Sequence, residues 1–164
     1  MTSPLDGLDA VQWVRVPERW GFRVSGSAIP GLPRQLASAA PDEVWSVGAD
    51  LHELVIHGHS GGYRWTAELV VPFLTRLCGS PDGHVVAVAI ELLTEIAYAQ
   101  PFVDEVEGAD PGMPARIRAE LLKERPFFQS LSGHPEARVR SEAADLLASI
   151  DAGHRKPPSA GVAV

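Results

Sequence analysis

A short segment in the first half of the chain concentrates the side chains that could carry out chemistry. Residues 51–65 read LHELVIHGHSGGYRW and contain three of the six histidines, together with a glutamate, a serine and two aromatic residues. Histidines bind transition metals and transfer protons near neutral pH. The segment therefore suggests a metal centre, an acid-base pocket or a nucleophilic triad, unless the same residues simply end one helix, turn and begin the next.

The spacing of the histidines argues against a zinc-protease centre. His52 and His57 are five positions apart, which on a helix rotates one side chain by roughly 140° from the other. In the zinc-protease pattern the two histidines are four positions apart and face the same metal. Cys78 is the only cysteine, so a thiolate-rich metal site and an internal disulfide are excluded. We expect no metal and no cofactor, and we interpret Cys78 as a small core or junction residue.

The remaining chemical interpretations lack the elements that they need. Ser60, His57 and Glu53 could be drawn as a nucleophilic triad, but no strand-turn-helix elbow exposes the serine and no oxyanion donors can be named. A histidine at a helix C-terminus more often bonds the last free carbonyls, which is the role expected of His57. No catalytic residue is therefore assigned. If the segment binds a ligand, the candidate binding residues are Arg23, His57, His59, Tyr63, Arg64 and Trp65.

The charge balance limits the class of partner. The 164 residues carry a formal net charge of −7. Nucleic acids and anionic membranes require a basic surface, so both are disfavoured, whereas a basic or neutral protein partner is compatible with this charge. The chain does not open on a basic segment followed by an apolar run, and no stretch approaches 18 apolar residues. We therefore expect a cytoplasmic protein without a membrane span.

Apolar residues recur at intervals of three and four along most of the chain, which predicts amphipathic helices. Pro72 lies inside one of them and predicts a kink or a late start, and Asp82 is the expected N-cap of the next. Strand signals are nearly absent. Short helices in succession imply stacked antiparallel pairs, an α-solenoid, in one domain over 1–150 with a mobile tail over 151–164. The predicted helices are 8–14, 30–39, 42–56, 64–77, 82–99, one around 117–122 that Pro126 ends or bends, a short one from Phe127, and 134–150.

Three stretches carry a resemblance to a known family. The last predicted helix resembles the second helix of a HEAT repeat, in His134, Pro135, Val139, Arg140, Ala143, Ala144 and Leu147. In such a repeat the arginine can bond the loop or an acidic neighbour at the repeat junction. The middle of the chain is similar to HEAT-like proteins abundant in actinobacteria, in Ala67, Val71, Pro72, Phe73 and Leu74, and the opening stretch in Trp13, Gly21, Ile29 and Pro30.

The resemblance covers roughly residues 8–150 and implies an all-α fold. This fold would be a short HEAT-like α-solenoid of about three helix pairs with an irregular N-terminal cap. The chain departs from the group at His57, Gly58 and His59, where the group has His-Gln-Gly, and it has an added glycine in the turn. The HEAT-repeat deoxyhypusine hydroxylases hold two irons between several His-Glu pairs, whereas this chain has one such pair, at His52 and Glu53.

These expectations leave two functions open. Relatives in the wider class are mostly scaffolds and protein binders, so the first function is a protein-interaction module, including an immunity-like or antitoxin-like binder of a basic partner. The alternative is a small-molecule binder or enzyme with a pocket at the turn from His57 to Trp65. Geometry separates them, because a pocket requires His57, His59, Tyr63 and Trp65 to converge around a cavity. The oligomeric state stays open.

Overall fold

The structure, a computed structural model, describes residues 5–11, 29–56, 61–100 and 112–153. These residues form seven α-helices and no strand, which confirms the all-α class. No helix within the described ranges is long and apolar enough to cross a membrane. The helices are α1 Gly31–Ser38, α2 Val44–Val55, α3 Thr66–Leu77, α4 Gly83–Tyr98, α5 Met113–Lys123, α6 Arg125–Ser130 and α7 Ala137–Ala152, with 3-10 turns at Leu8–Ala10 and Leu131–Gly133.

Local signals set several of the helix ends as predicted. Asp82 caps α4, because its carboxylate accepts a hydrogen bond from the His84 backbone N–H at 2.8 Å. Pro126 lies in the first turn of α6, where a backbone N–H would have no acceptor within the helix. The lack of an N–H in proline therefore costs no hydrogen bond there. α5 therefore ends before Glu124, and α6 begins directly after it. α3 runs from Thr66 through Pro72, so it does not begin late, and the kink stays a prediction.

Two predicted helix boundaries are corrected. The helix expected over 8–14 is a 3-10 turn of three residues, and Val11 is already extended (φ −73°, ψ 134°). Leu8 is the one buried side chain of this turn, too little apolar surface to support an amphipathic helix. The last helix begins at Ala137 rather than at His134, because His134 precedes a proline and is held extended (ψ 142°).

α4 lies at the centre of the packing. It contacts α2, α3 and α7, most extensively α7. Its buried residues lie on several sides of the helix and join one continuous hydrophobic core. The contact with α2 is close at Gly48, where an added Cβ would lie 2.7 Å from Cγ1 of Val88. A glycine at this position therefore lets α2 approach α4, and the approach forms the floor of a groove between the two helices.

Arg140 joins α7 to the loop that precedes it. Arg140 donates from Nη1 to the carbonyl oxygens of His134 and Pro135, both at 2.8 Å. The loop contact predicted for Arg140 is thus present. Ala143 is buried, whereas Ala144 is exposed. The helix continues to Ala152, two residues beyond the predicted end of the domain, and residues 154–164 of the predicted tail lie outside the described ranges.

Candidate functional site

Half of the residues proposed from the sequence as a binding site lie in the described part of the chain. Tyr63 and Arg64 are buried, and Trp65 is half-buried against the core. Arg23, His57 and His59 lie outside the described residues, as does Ser60 of the possible nucleophilic triad. The described candidates therefore belong to the packed end of the turn rather than to an open surface.

Backbone hydrogen bonds fix this end of the turn to two helices. Tyr63 forms an antiparallel bridge with Ile56, and its N–H donates to the Gln100 carbonyl after α4 at 2.9 Å. The Arg64 N–H donates to the Val55 carbonyl at 2.7 Å, in the last turn of α2.

Other groups also bond the carbonyls at the end of α2. The Thr66 hydroxyl donates to the carbonyl of Leu54, and the N–H of Ile56 donates to that of His52. Together with the bond from Arg64, these bonds give the carbonyls of His52, Leu54 and Val55 partners within the described residues. The prediction that His57 caps this helix end falls outside the described residues.

The Tyr63 side chain faces a very small cavity. The cavity has a volume of about 10 Å³, lies against Ile96, Ile117 and Leu121, and has room for about one water molecule. Among the described residues, the Tyr63 hydroxyl has no hydrogen-bond partner. Burial, and secondarily the charge of Glu68, raises the pKa of Tyr63 to about 12. Tyr63 therefore serves as a core residue whose hydroxyl is kept neutral.

An open groove runs between α2 and α4. Its volume is about 330 Å³, which is within the size range of ligand sites. The lining positions follow each other at intervals of three and four along both helices, so one face of each helix forms a wall. The lining residues are Trp45, Gly48, Ala49, His52, Val88, Glu91, Leu92 and Glu95.

One end of the groove is closed by a histidine and a carboxylate. Nε2 of His52 lies 2.7 Å from Oε2 of Glu95, and both side chains are about one-third exposed. The hydrogen bond to Glu95 raises the pKa of His52, opposed by burial and supported by the charges of Glu95, Glu53 and Glu91. The partner of His52 is therefore a glutamate on another helix, and Glu53, its neighbour in sequence, is exposed.

The other end of the groove combines an aromatic ring with charged groups. Trp45 is 38% exposed, and the guanidinium carbon of Arg138 lies 4.0 Å from its ring centroid. Arg138 also lies 3.7 Å from a carboxylate oxygen of Glu91 and 3.7 Å from one of Glu142. Burial, and next the charge of Glu91, raises the pKa of Glu142. A cation is thus already held there, between an aromatic face and carboxylates.

The arrangement is suited to binding a cation by stacking and charge rather than to metal chemistry. No group of three or more histidine, cysteine, aspartate or glutamate side chains within the described ranges could hold a metal ion. Cys78 is buried, its thiol donates to the Leu74 carbonyl, and burial raises its pKa, so its interpretation as a core residue is confirmed. The groove offers an aromatic platform and two carboxylates along one helix face.

This groove was not predicted from the sequence, because the spacing of apolar residues in 42–56 places Trp45 on the buried stripe of the helix, with Val47, Leu51, Leu54 and Val55. The buried stripe instead follows Val44, Gly48, Leu51 and Val55, and Trp45 projects beside it. A glycine contributes no apolar side chain, so the apolar pattern does not indicate that Gly48 lies on the buried side of α2. The available signal was the i, i+4 spacing of Glu91 and Glu95 on an otherwise apolar helix.

Comparison of the chain with protein-family models, with curated proteins and with solved structures gives no match. The groove and its surroundings are therefore the basis on which a function can be inferred.

Proposed function

We propose that this chain is a cytoplasmic protein-interaction module that binds a basic segment of a partner protein in the groove between α2 and α4. The proposed architecture is a short HEAT-like α-solenoid of about three helix pairs with an irregular N-terminal cap. An immunity-like or antitoxin-like role, in which the module covers a basic partner, is the form of this function that we favour.

The helix contacts support the solenoid. α1 packs on α2 and α3 packs on α4, while α6 and, less extensively, α5 pack on α7. Contacts also join α2 to α4 and α4 to α7, and they join α1 to α3 and α3 to α5. Two rows of neighbouring helices are what stacked antiparallel pairs produce. In this arrangement the groove lies on the row formed by α2, α4 and α7.

The acidic and aromatic lining of the groove is the observation that carries the proposed function. Glu91 and Glu95 lie on one wall and Trp45 on the other, around a floor of Gly48 and Val88. Aromatic residues are enriched at protein interfaces, and a cation beside an aromatic face and a carboxylate gains from both. The net charge of −7 favours rapid encounter with a basic protein. A basic partner therefore matches the groove in charge and in chemistry.

The test is capture of partners by the tagged protein from its own cells, followed by titration calorimetry with the purified partner. We expect Trp45→Ala and Glu95→Gln to weaken binding at least tenfold. Leu122→Ala, which removes an exposed apolar side chain on α5, is the matched control and should leave binding unchanged. Binding that survives both groove substitutions but is lost on changing His57 and His59 to alanine would contradict the proposal and favour the pocket at the turn.

A further inference from the structure

We propose that the groove recognises an arginine side chain of the partner, and that Arg138 of this chain occupies the arginine position until the partner displaces it. The inference rests on the proposed function and adds the chemistry of the ligand and a built-in competitor. In this role Arg138 is a placeholder, and its contacts are those that an incoming arginine would receive.

The contacts of Arg138 define a guanidinium site. The planar group lies over Trp45 with a distance of 4.0 Å to the ring centroid, and a carboxylate oxygen of Glu91 lies 3.7 Å from one of its nitrogens. A guanidinium stacks on an aromatic ring and pairs with a carboxylate through its edge at the same time. An ammonium group is a strongly hydrated point charge and lacks the flat face that stacks. The site therefore favours arginine over lysine.

Arg138 is held more weakly than other arginines of the molecule. Its ion pairs within the described ranges, to Glu91 and Glu142, both span 3.7 Å, which is longer than a hydrogen bond, and its side chain is 52% exposed. Arg116, by contrast, donates two hydrogen bonds to the carboxylate of Glu68, and Arg125 reaches Asp151 at 2.9 Å. Displacing Arg138 from these two carboxylates breaks no hydrogen bond to either, so an incoming arginine can replace it.

The groove continues beyond the position of Arg138. Glu95 lies one turn along α4 from Glu91, about 6 Å by the rise of a helix, at the end closed by His52. The lining between the two ends is apolar at Ala49, Val88 and Leu92. An extended peptide therefore finds its arginine site at Trp45 and an apolar surface with a second carboxylate beside it. Arg138, which enters from α7, fills only the first of these positions.

The test uses the full chain and three synthetic peptides, acetyl-Gly-Gly-Xaa-Gly-Gly-amide with arginine, lysine or citrulline at Xaa. Binding is followed by the NMR resonance of the Trp45 indole N–H, assigned with Trp45→Phe. We expect saturable shifts with the arginine peptide, several-fold weaker binding of the lysine peptide and none of the uncharged citrulline peptide. Glu91→Gln should abolish binding of the arginine peptide.

Removal of the competitor is the decisive measurement. Arg138→Ala should tighten binding of the arginine peptide roughly fivefold, the factor expected for loss of one cation–π contact and an exposed ion pair. Arg34→Ala removes a comparably exposed arginine that pairs with Asp9 and should not change the affinity. Unchanged or weaker binding by Arg138→Ala, or equal binding of all three peptides, would overturn the inference.

The outcomes separate this inference from the proposed function. If the natural partner still requires Trp45 and Glu95 but Arg138→Ala does not tighten it, the groove is the interface and Arg138 is not a placeholder. If neither the partner nor the peptides depend on Trp45, the proposed function fails with the inference. Thermal unfolding of each variant is the control for folding. We expect every variant to stay folded, because Trp45, Glu91 and Arg138 are all substantially exposed.

Discussion

The turn at 61–65 and the groove between α2 and α4 contain similar side chains in opposite surroundings. The turn has Tyr63 and Arg64, which are both buried, whereas the groove has Trp45 and Arg138, which are both exposed. At Tyr63 the free space is about 10 Å³, and in the groove it is about 330 Å³. An aromatic residue beside a charged one therefore indicates a site only when both of them stay accessible to a partner.

The largest expected effect separates the two regions by stability. Tyr63→Ala should lower the free energy of unfolding by about 3 to 5 kcal/mol, since it removes a large side chain from a buried core position and leaves a cavity. Trp45→Ala should lower it by less, about 1 to 2 kcal/mol, because its ring lies partly in solvent and its removal widens an open groove instead of leaving a closed cavity. Urea unfolding measures both values. Equal losses would show that Trp45 is a core residue and would remove the contrast between the regions.

The second prediction concerns the floor of the groove. Gly48→Ala places a Cβ within 2.7 Å of Val88, and crowding of this kind costs about 1 to 3 kcal/mol, partly offset by the better helix propensity of alanine. We expect a net loss of about 1 to 2 kcal/mol in urea unfolding. The control is Gly48→Ala made in the Val88→Ala variant, which lacks the Val88 methyl groups that the new Cβ would contact. A loss of the same size in that background would contradict the close approach of α2 and α4.

The third prediction tests the hydroxyl of the buried tyrosine. Tyr63→Phe should leave the free energy of unfolding unchanged or raise it by up to about 1 kcal/mol, because the hydroxyl is buried without a hydrogen-bond partner in the described part of the chain. Absorbance titration of the unmodified protein should show Tyr63 ionising near pH 12, since burial favours the neutral phenol. A loss above about 1 kcal/mol in Tyr63→Phe would show that the hydroxyl has a partner.

Most of the helices could be predicted from the sequence because their signals are local. The apolar periodicity lies within each helix, the cap at Asp82 is two residues from the N–H that it bonds, and Pro126 acts within one turn. The correction at Ala137 has an equally local cause, the proline after His134. Residues that share a helix therefore carry most of the information about its bounds.

The candidate groove could not be predicted because its contacts join distant parts of the chain. His52 bonds Glu95 across 43 positions, and Arg138 reaches Trp45 and Glu91 from a third helix. No spacing rule within one helix relates these residues. The residues of the histidine-rich segment are adjacent in sequence, whereas those of the groove come together only when α2, α4 and α7 pack.

The smallest expected effect is the pH dependence of the groove. The hydrogen bond to Glu95 raises the pKa of His52 above its ordinary value of 6.5, with Glu53 and Glu91 as the other carboxylates that act on it. The charged pair therefore stabilises the fold fully below pH 6.5, and this contribution is lost as the pH rises through the raised pKa. Because both side chains are about one-third exposed, we expect less than about 1 kcal/mol.

NMR titration of His52 and urea unfolding across pH 5 to 9 measure this contribution. Glu95→Gln removes the largest cause of the raised pKa and leaves burial, which lowers it, so the pKa of His52 should fall. His52→Gln should remove the corresponding part of the pH dependence of stability. His84→Gln, at the exposed start of α4, is the control and should retain it. A His52 pKa that is unchanged in Glu95→Gln would mean that the two side chains do not pair, and the groove would then be open at that end.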